Sequence, residues 1–227
     1  MNYQQKDKAN TTFTGIFFIT AAVSSIIGLK LYDPILVDND FITLAAQHRN
    51  SIIFGAVNEL ILCVSATSTG LLMYPYLKRY SESLGLGYLS FRMLEVVFIM
   101  IGLVAVLVVL SVSQNYANQS IEKSTATSIG LAFIAVHDWT FMLGPNFMLA
   151  INTFIYSYVF YKTMLVPQKL ATLGLVSACL IMVAALLEMF GVIEQLSTWG
   201  ISLALPIAIY EMSLAIWLIR KGFKIDF

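Results

Sequence analysis

Seven ionisable side chains lie within or beside stretches that are otherwise free of charge: Glu59, Arg92, Glu95, His137, Asp138, Glu188 and Glu211. Carboxyl groups in apolar surroundings can exchange protons, hold a cation or serve as acid–base pairs, and an arginine can neutralise one of them. Arg92 and Glu95 are three residues apart, so on a helix they share a face and can pair. The five carboxylates and one arginine sum to −4 if all are ionised, or −3 with His137 protonated. A surplus of that size has to be met by protons, a cation or water. Tyr210, next to Glu211 and four residues after Pro206, could extend a hydroxyl to the same place. The candidate ligand- or ion-binding residues are therefore Glu59, Arg92, Glu95, His137, Asp138, Glu188, Tyr210 and Glu211. None of them is assigned a catalytic role.

The elements that position these groups follow from composition. Of the 227 residues, 59% are apolar and 11% charged; soluble domains average about 25% charged. The runs Ala9–Leu29, Val96–Ile121 and Trp139–Tyr161 carry no charge and are long enough to cross a bilayer, which takes roughly 20 residues. Polar clusters divide the chain into six crossings near 12–32, 50–74, 86–111, 139–161, 170–191 and 199–219, in a single transmembrane domain over 1–227. The reading is an all-α integral membrane protein, a six-transmembrane-helix bundle. With the N-terminus inside, Lys6, Lys8, Lys78, Arg79, Lys162, Lys169, Arg220, Lys221 and Lys224 fall on one face, and Lys30, Arg49 and Lys123 on the other. Basic residues stay cytoplasmic, so both termini are expected inside (N-in/C-in), in the plasma or inner membrane. Counted from the span ends, Glu95 and Glu211 fall near mid-membrane, and Glu59, Glu188 and His137–Asp138 in the outer half.

Apolar character from Ala126 to Tyr161 is too long for one upright span and marginal for two. A single crossing is expected, broken near Gly144–Pro145 and preceded by an interfacial or re-entrant helix, because proline removes a backbone donor and disfavours helix at the residue before it. Lys6 and Lys8 ahead of Ile16–Leu29 superficially resemble a signal peptide, but further spans follow, so an uncleaved first helix is expected. In the outer loop Asp33–Asn50, Phe41–His48 reads as an amphipathic turn with Asp40 at its N-cap. The small-residue pairs Ala21/Ser25, Ser24/Gly28, Ala66/Gly70 and Gly174/Ala178 predict close helix approach. Trp139, Trp199, Trp217, Tyr74, Tyr76, Tyr156, Tyr158 and Tyr161 read as interfacial anchors, and Cys63 and Cys179 as small core residues.

Several short segments together give the chain a familiar outline: Gly55-Ala56-Val57-Asn58-Glu59-Leu60, Tyr74-Pro75-Tyr76-Leu77-Lys78-Arg79, and Leu86-Gly87-Tyr88 leading to Phe91-Arg92-Met93-Leu94-Glu95. Asp138-Trp139, Leu143-Gly144-Pro145, Leu165-Val166-Pro167, Leu205-Pro206-Ile207-Ala208 with Glu211, and Trp217 to Phe223 complete it. On these the chain resembles a bacterial multi-pass membrane family, domain of unknown function 4386, over nearly its whole length. His137 stands where that family is associated with arginine. The resemblance implies an integral bacterial membrane protein and supplies no reaction.

Missing parts exclude several chemistries. Two histidines with no paired-His motif do not build a hydrolytic metal site. No span interior holds a histidine base for a serine nucleophile, and no mid-span lysine is present for a Schiff base. A balanced formal charge leaves no nucleic-acid footprint. No cofactor and no metal is expected. The partners expected are the lipid bilayer and a small solute, proton or lipid ligand, with a homo-oligomer left open. The leading reading is a protein handling a small solute, ion or proton through an acid-rich intramembrane cavity, with Glu59, Glu188 and Asp138 bordering one outward-opening space. The alternatives are a lipid- or apolar-ligand-binding sensor or accessory protein, and an enzyme acting on a lipid through carboxylate acid–base chemistry.

Overall fold

In the computed structural model, residues 3–195 and 197–224 are described, without the side chains of residues 3–6, so Lys6 falls outside what can be placed. The described residues are helical almost throughout: α1 (Tyr3–Leu31), α2 (Asp33–Leu36), α3 (Phe41–Gln47), α4 (Arg49–Tyr80), α5 (Glu82–Ala117), α6 (Lys123–Phe141), a π-helical stretch (Met142–Met148), α7 (Leu149–Thr163), α8 (Gln168–Met189) and α9 (Thr198–Arg220). Six helical units are long and apolar enough to cross a membrane, with α6, the π stretch and α7 forming one of them. Lipid satisfies no backbone polar group, so helices that close all their own hydrogen bonds are what such a sequence must form.

The spans close into a ring. α1 packs on α4, α4 on α5, α5 on the α6–α7 unit, α7 on α8, α8 on α9, and α9 back on α1. The start of α1 and the end of α9 meet at one end. There the Lys8 ammonium donates to the Ile219 carbonyl (2.9 Å), the Tyr76 hydroxyl donates to Asp7 (3.1 Å), and the Lys224 amide donates to the Leu165 carbonyl (2.8 Å). The other, far end is capped by α2 and α3. Phe41, Ile42 and Ala45 of α3 are buried in a cluster with Val106, Val109 and Leu110 of α5, and the Ser113 hydroxyl donates to the Ile42 carbonyl. Asp40 holds the N-cap position of α3 but caps nothing with its side chain. Its carboxylate instead meets the Lys123 ammonium at 2.9 Å and ties the cap to α6.

No separate interfacial or re-entrant helix precedes the fourth crossing. α6 passes into α7 without a loop, through the π-helical Met142–Met148 that contains Gly144–Pro145. At its end the Leu149 amide donates to the Gly144 carbonyl, five residues back. Pro145 has no N–H to give, and its ring crowds the carbonyl four residues earlier. A wider turn accommodates both without ending the helix. The unit therefore spans 41 residues, about 60 Å at ~1.5 Å per residue, and stands above the shorter α8 and α9 at the far end. Gly144 makes this possible on the α5 side: a Cβ there would lie 2.8 Å from Phe98 Cβ and 3.2 Å from the Glu95 carbonyl.

Two expected placements change. Tyr156 is fully buried, at the centre of an aromatic cluster with Tyr88, Phe160 and Tyr210, and is not an interfacial anchor. Cys63 is buried as expected, but Cys179 is exposed. In a bilayer both the bundle core and the lipid face are apolar, so apolar character alone cannot say which way such residues turn.

Candidate functional site

The candidate residues separate into two sets. The first is sealed within the bundle. Arg92, 3% exposed, sends Nη1 to both oxygens of Glu95 (3.2 and 2.9 Å) and Nε to the Ala66 carbonyl (3.3 Å) and the Thr69 hydroxyl (3.2 Å) of α4. The three-residue spacing on α5 places the pair, and α4 supplies the remaining acceptors. Glu95 also accepts from the Asn152 amide of α7, at 2.7 Å. Arg92 lies over the ring of Phe18 from α1, 5.8 Å from its centroid. Four spans thus converge on the Arg92–Glu95 pair.

Glu211 lies in the field of Arg92 and Glu95 but makes no hydrogen bond to Arg92, and its Oε1 is buried without a partner. Tyr210 turns to α7, where its hydroxyl and that of Ser157 are 2.8 Å apart, and its ring stacks on Tyr156 at 6.0 Å. The Tyr156 hydroxyl also has no partner.

The second set is at the far end, in the step where α6 rises above α8 and α9. A cavity of about 430 Å³ opens there, bordered by Leu29 of α1, His137, Asp138 and Trp139 of α6, Glu188 at the end of α8, and Glu194–Gln195 of the α8–α9 loop. The π-helical turn aims buried Asn146 across the gap, where its amide donates to Glu188 Oε2 at 2.8 Å. Asp138 is 62% exposed at its side chain and lies 3.3 Å from His137 Nδ1. Among the described residues no lysine or arginine borders the cavity.

Glu59 does not border this space. It faces a separate void of about 20 Å³ with Gly102, His137, Thr140 and Pro145, room for roughly one water. Tyr32 donates to Glu59 Oε2 at 3.0 Å. Tyr32 lies just past α1; burial, then the neighbouring Glu59, raises its phenol above the ordinary tyrosine range, so it stays a proton donor. Its ring meets that of His137 edge-on at 6.3 Å. His137 lines both spaces. Gly102 of α5 faces this turn of α6: a Cβ there would lie 2.9 Å from the Thr140 hydroxyl and 3.6 Å from His137 Cδ2. Depth had grouped Glu59, Asp138 and Glu188; direction around the helix axes divides them.

With this geometry in view, comparison with known proteins places the chain: the model of the family described as domain of unknown function (DUF4386) matches residues 13–222. The chain belongs to that family. No curated protein and no solved structure matches it. Both cavities and the Arg92 cluster fall inside the matched region, so this family member is a multi-pass helical membrane protein with its polar interior within the shared domain.

Three polar residues that complete these sites were not singled out from sequence: Asn146, Asn152 and Tyr32. Asn146 and Asn152 interrupt a stretch with no charge, and an asparagine inside a span, where its amide needs a partner, was the available signal. Among the described residues no three His, Cys, Asp or Glu side chains gather as metal ligands.

Proposed function

We propose that the protein handles a small cationic solute, bound in the far-end cavity from the side opposite the termini. The carrying observation is the lining: Asp138, Glu188 and Glu194 beside His137, with no lysine or arginine among the described residues, in about 430 Å³. Three carboxylates around one space repel one another and attract a cation, while Trp139 and Phe141 on the same wall offer ring faces to an ammonium group. Both termini lie at the end that carries Lys78, Arg79, Lys162, Lys169, Arg220 and Lys221, so by charge they are cytoplasmic and the cavity faces outward in the plasma or inner membrane. His137, the ionisable side chain common to both spaces, is the group through which a proton would pass between the solute site and Glu59.

Titration of purified protein in lipid nanodiscs with small organic ammonium ions tests the reading, with matched carboxylates as controls. Cations should bind. Glu188→Gln and Asp138→Asn should each weaken binding by about tenfold, the size of one charge-assisted hydrogen bond. Equal binding of anions, or variants that bind cations like the parent, would refute the cationic-solute site. A reporter fused after Phe227 that reads outside the cytoplasm would refute the orientation.

A further inference from the structure

A second built space lies at the opposite end of the molecule, and the solute reading makes no use of it. Between the start of α8 and the end of α9 runs a groove of about 550 Å³ whose walls include Leu173, Ile216 and Trp217 and whose mouth carries Lys169, Arg220 and Lys221. Among the described residues no acidic side chain borders it. All three cations are exposed, and among the described residues none has an ion-pair or hydrogen-bond partner. Their neighbours at this end differ: Lys8 is spent on a carbonyl, and Lys78 and Lys162 lie over tyrosine rings.

The backbone adds to the same potential. α8 begins at Gln168 directly after Pro167. The Leu170 and Ala171 amides donate to the Pro167 carbonyl, which leaves the Gln168 and Lys169 amides as the first-turn donors with no intrahelical acceptor, and the helix dipole puts partial positive charge there. On the far side of Lys169 a second hollow of about 390 Å³ is bordered by Tyr161, Gln168 and Thr172, which offer hydroxyl and amide groups within reach of the same cation.

We propose that this groove is a binding site for one anionic phospholipid of the leaflet on the side of the termini, its phosphate on Lys169, Arg220 and Lys221 and an acyl chain along Leu173, Ile216 and Trp217. Both halves of the site are needed to name the ligand. Free phosphate would use the cations and leave the apolar walls empty. A zwitterionic lipid would fill the walls, but its own ammonium would oppose the three cations. Basic pockets between transmembrane helices bind anionic headgroups, and each lysine or arginine adds to the attraction. Three such residues are therefore ample for a tenfold preference after the cost of ordering the side chains.

Native mass spectrometry of the full chain, released from vesicles of equal phosphatidylglycerol and phosphatidylcholine, reads this directly. One retained lipid is expected, phosphatidylglycerol over phosphatidylcholine by at least about tenfold. The combined Lys169→Gln, Arg220→Gln and Lys221→Gln variant should lose the preference, and Lys30→Gln with Arg49→Gln at the far end should keep it. All five positions are exposed, and a melting curve on each variant establishes that it is folded. The wild-type comparison of the two lipids needs no variant. Equal retention of both lipids, a preference that survives the triple substitution, or millimolar inorganic phosphate displacing the bound lipid would each overturn the proposal.

Discussion

Arg92 and Asp138 mark two regions where the chain meets one problem, a charge at membrane depth, in opposite ways. Around Arg92 the charges are paired and dry: the side chains of Arg92 and Glu95 are 4% and 6% exposed, and α4, α5 and α7 supply their hydrogen bonds. Around Asp138 the acids outnumber their partners and the site is open, with the Asp138 side chain 62% exposed. Pairing makes a charge permanent, because separating it again costs the desolvation energy of both ions. Water leaves a charge free to change partners. The sealed region therefore holds helices together, and the open region carries the proposed solute site.

The largest effect that could break this contrast is at Arg92. Arg92→Leu leaves Glu95 buried with only the Asn152 amide, and should destabilise the protein by roughly 3–5 kcal/mol. Adding Glu95→Gln should recover part of that loss, read as unfolding of the detergent-solubilised protein. Equal damage in the single and double variants would mean that the pair is not the unit. Asn152→Ala comes next. It removes one donor from a buried carboxylate and should cost about 1–3 kcal/mol. A smaller change is expected for Glu211→Gln, below about 1 kcal/mol, since Glu211 accepts no hydrogen bond from Arg92. A loss as large as that of Arg92→Leu would make Glu211 a third member of the sealed set.

Much of the sealed region was legible in sequence, because Arg92 and Glu95 stand three apart on one helix and a lone intramembrane arginine needs an acid. Its third partner was not. Asn152 carries no charge, and its contact with Glu95 depends on how α7 is rotated against α5, which an apolar face in lipid does not encode. The same limit moved Tyr156 from an expected interface to the core. In the open region, span counting found the depths of Glu59, Asp138 and Glu188 but not their directions, so a single expected cavity became two spaces with His137 between them. Pro145 marked the irregular turn. That the turn would widen and aim Asn146 at Glu188, instead of ending a helix, depends on α5 packing against Gly144, which no local pattern carries.

The smallest effect separates the two regions by pH and salt. Asp40 and Lys123 form a far-end ion pair at 2.9 Å with side chains 51% and 56% exposed. The hydrogen bond from Lys123 holds the Asp40 carboxyl below its ordinary value of 3.8. A carboxyl whose pKa is lower in the folded state contributes stability above its unfolded value and loses that contribution as pH falls through the folded value. Wild type should therefore melt slightly above Asp40→Asn at pH 7, with the gap closing below about pH 4. Screening should act likewise: at pH 7 in 1 M salt, where the Debye length is about 3 Å, the gap should vanish. The Arg92→Leu deficit should persist in the same salt, because buried pairs are screened far less. If salt erased both deficits alike, Arg92 and Glu95 would be as wet as Asp40 and Lys123, and the division between a sealed and an open region would fail.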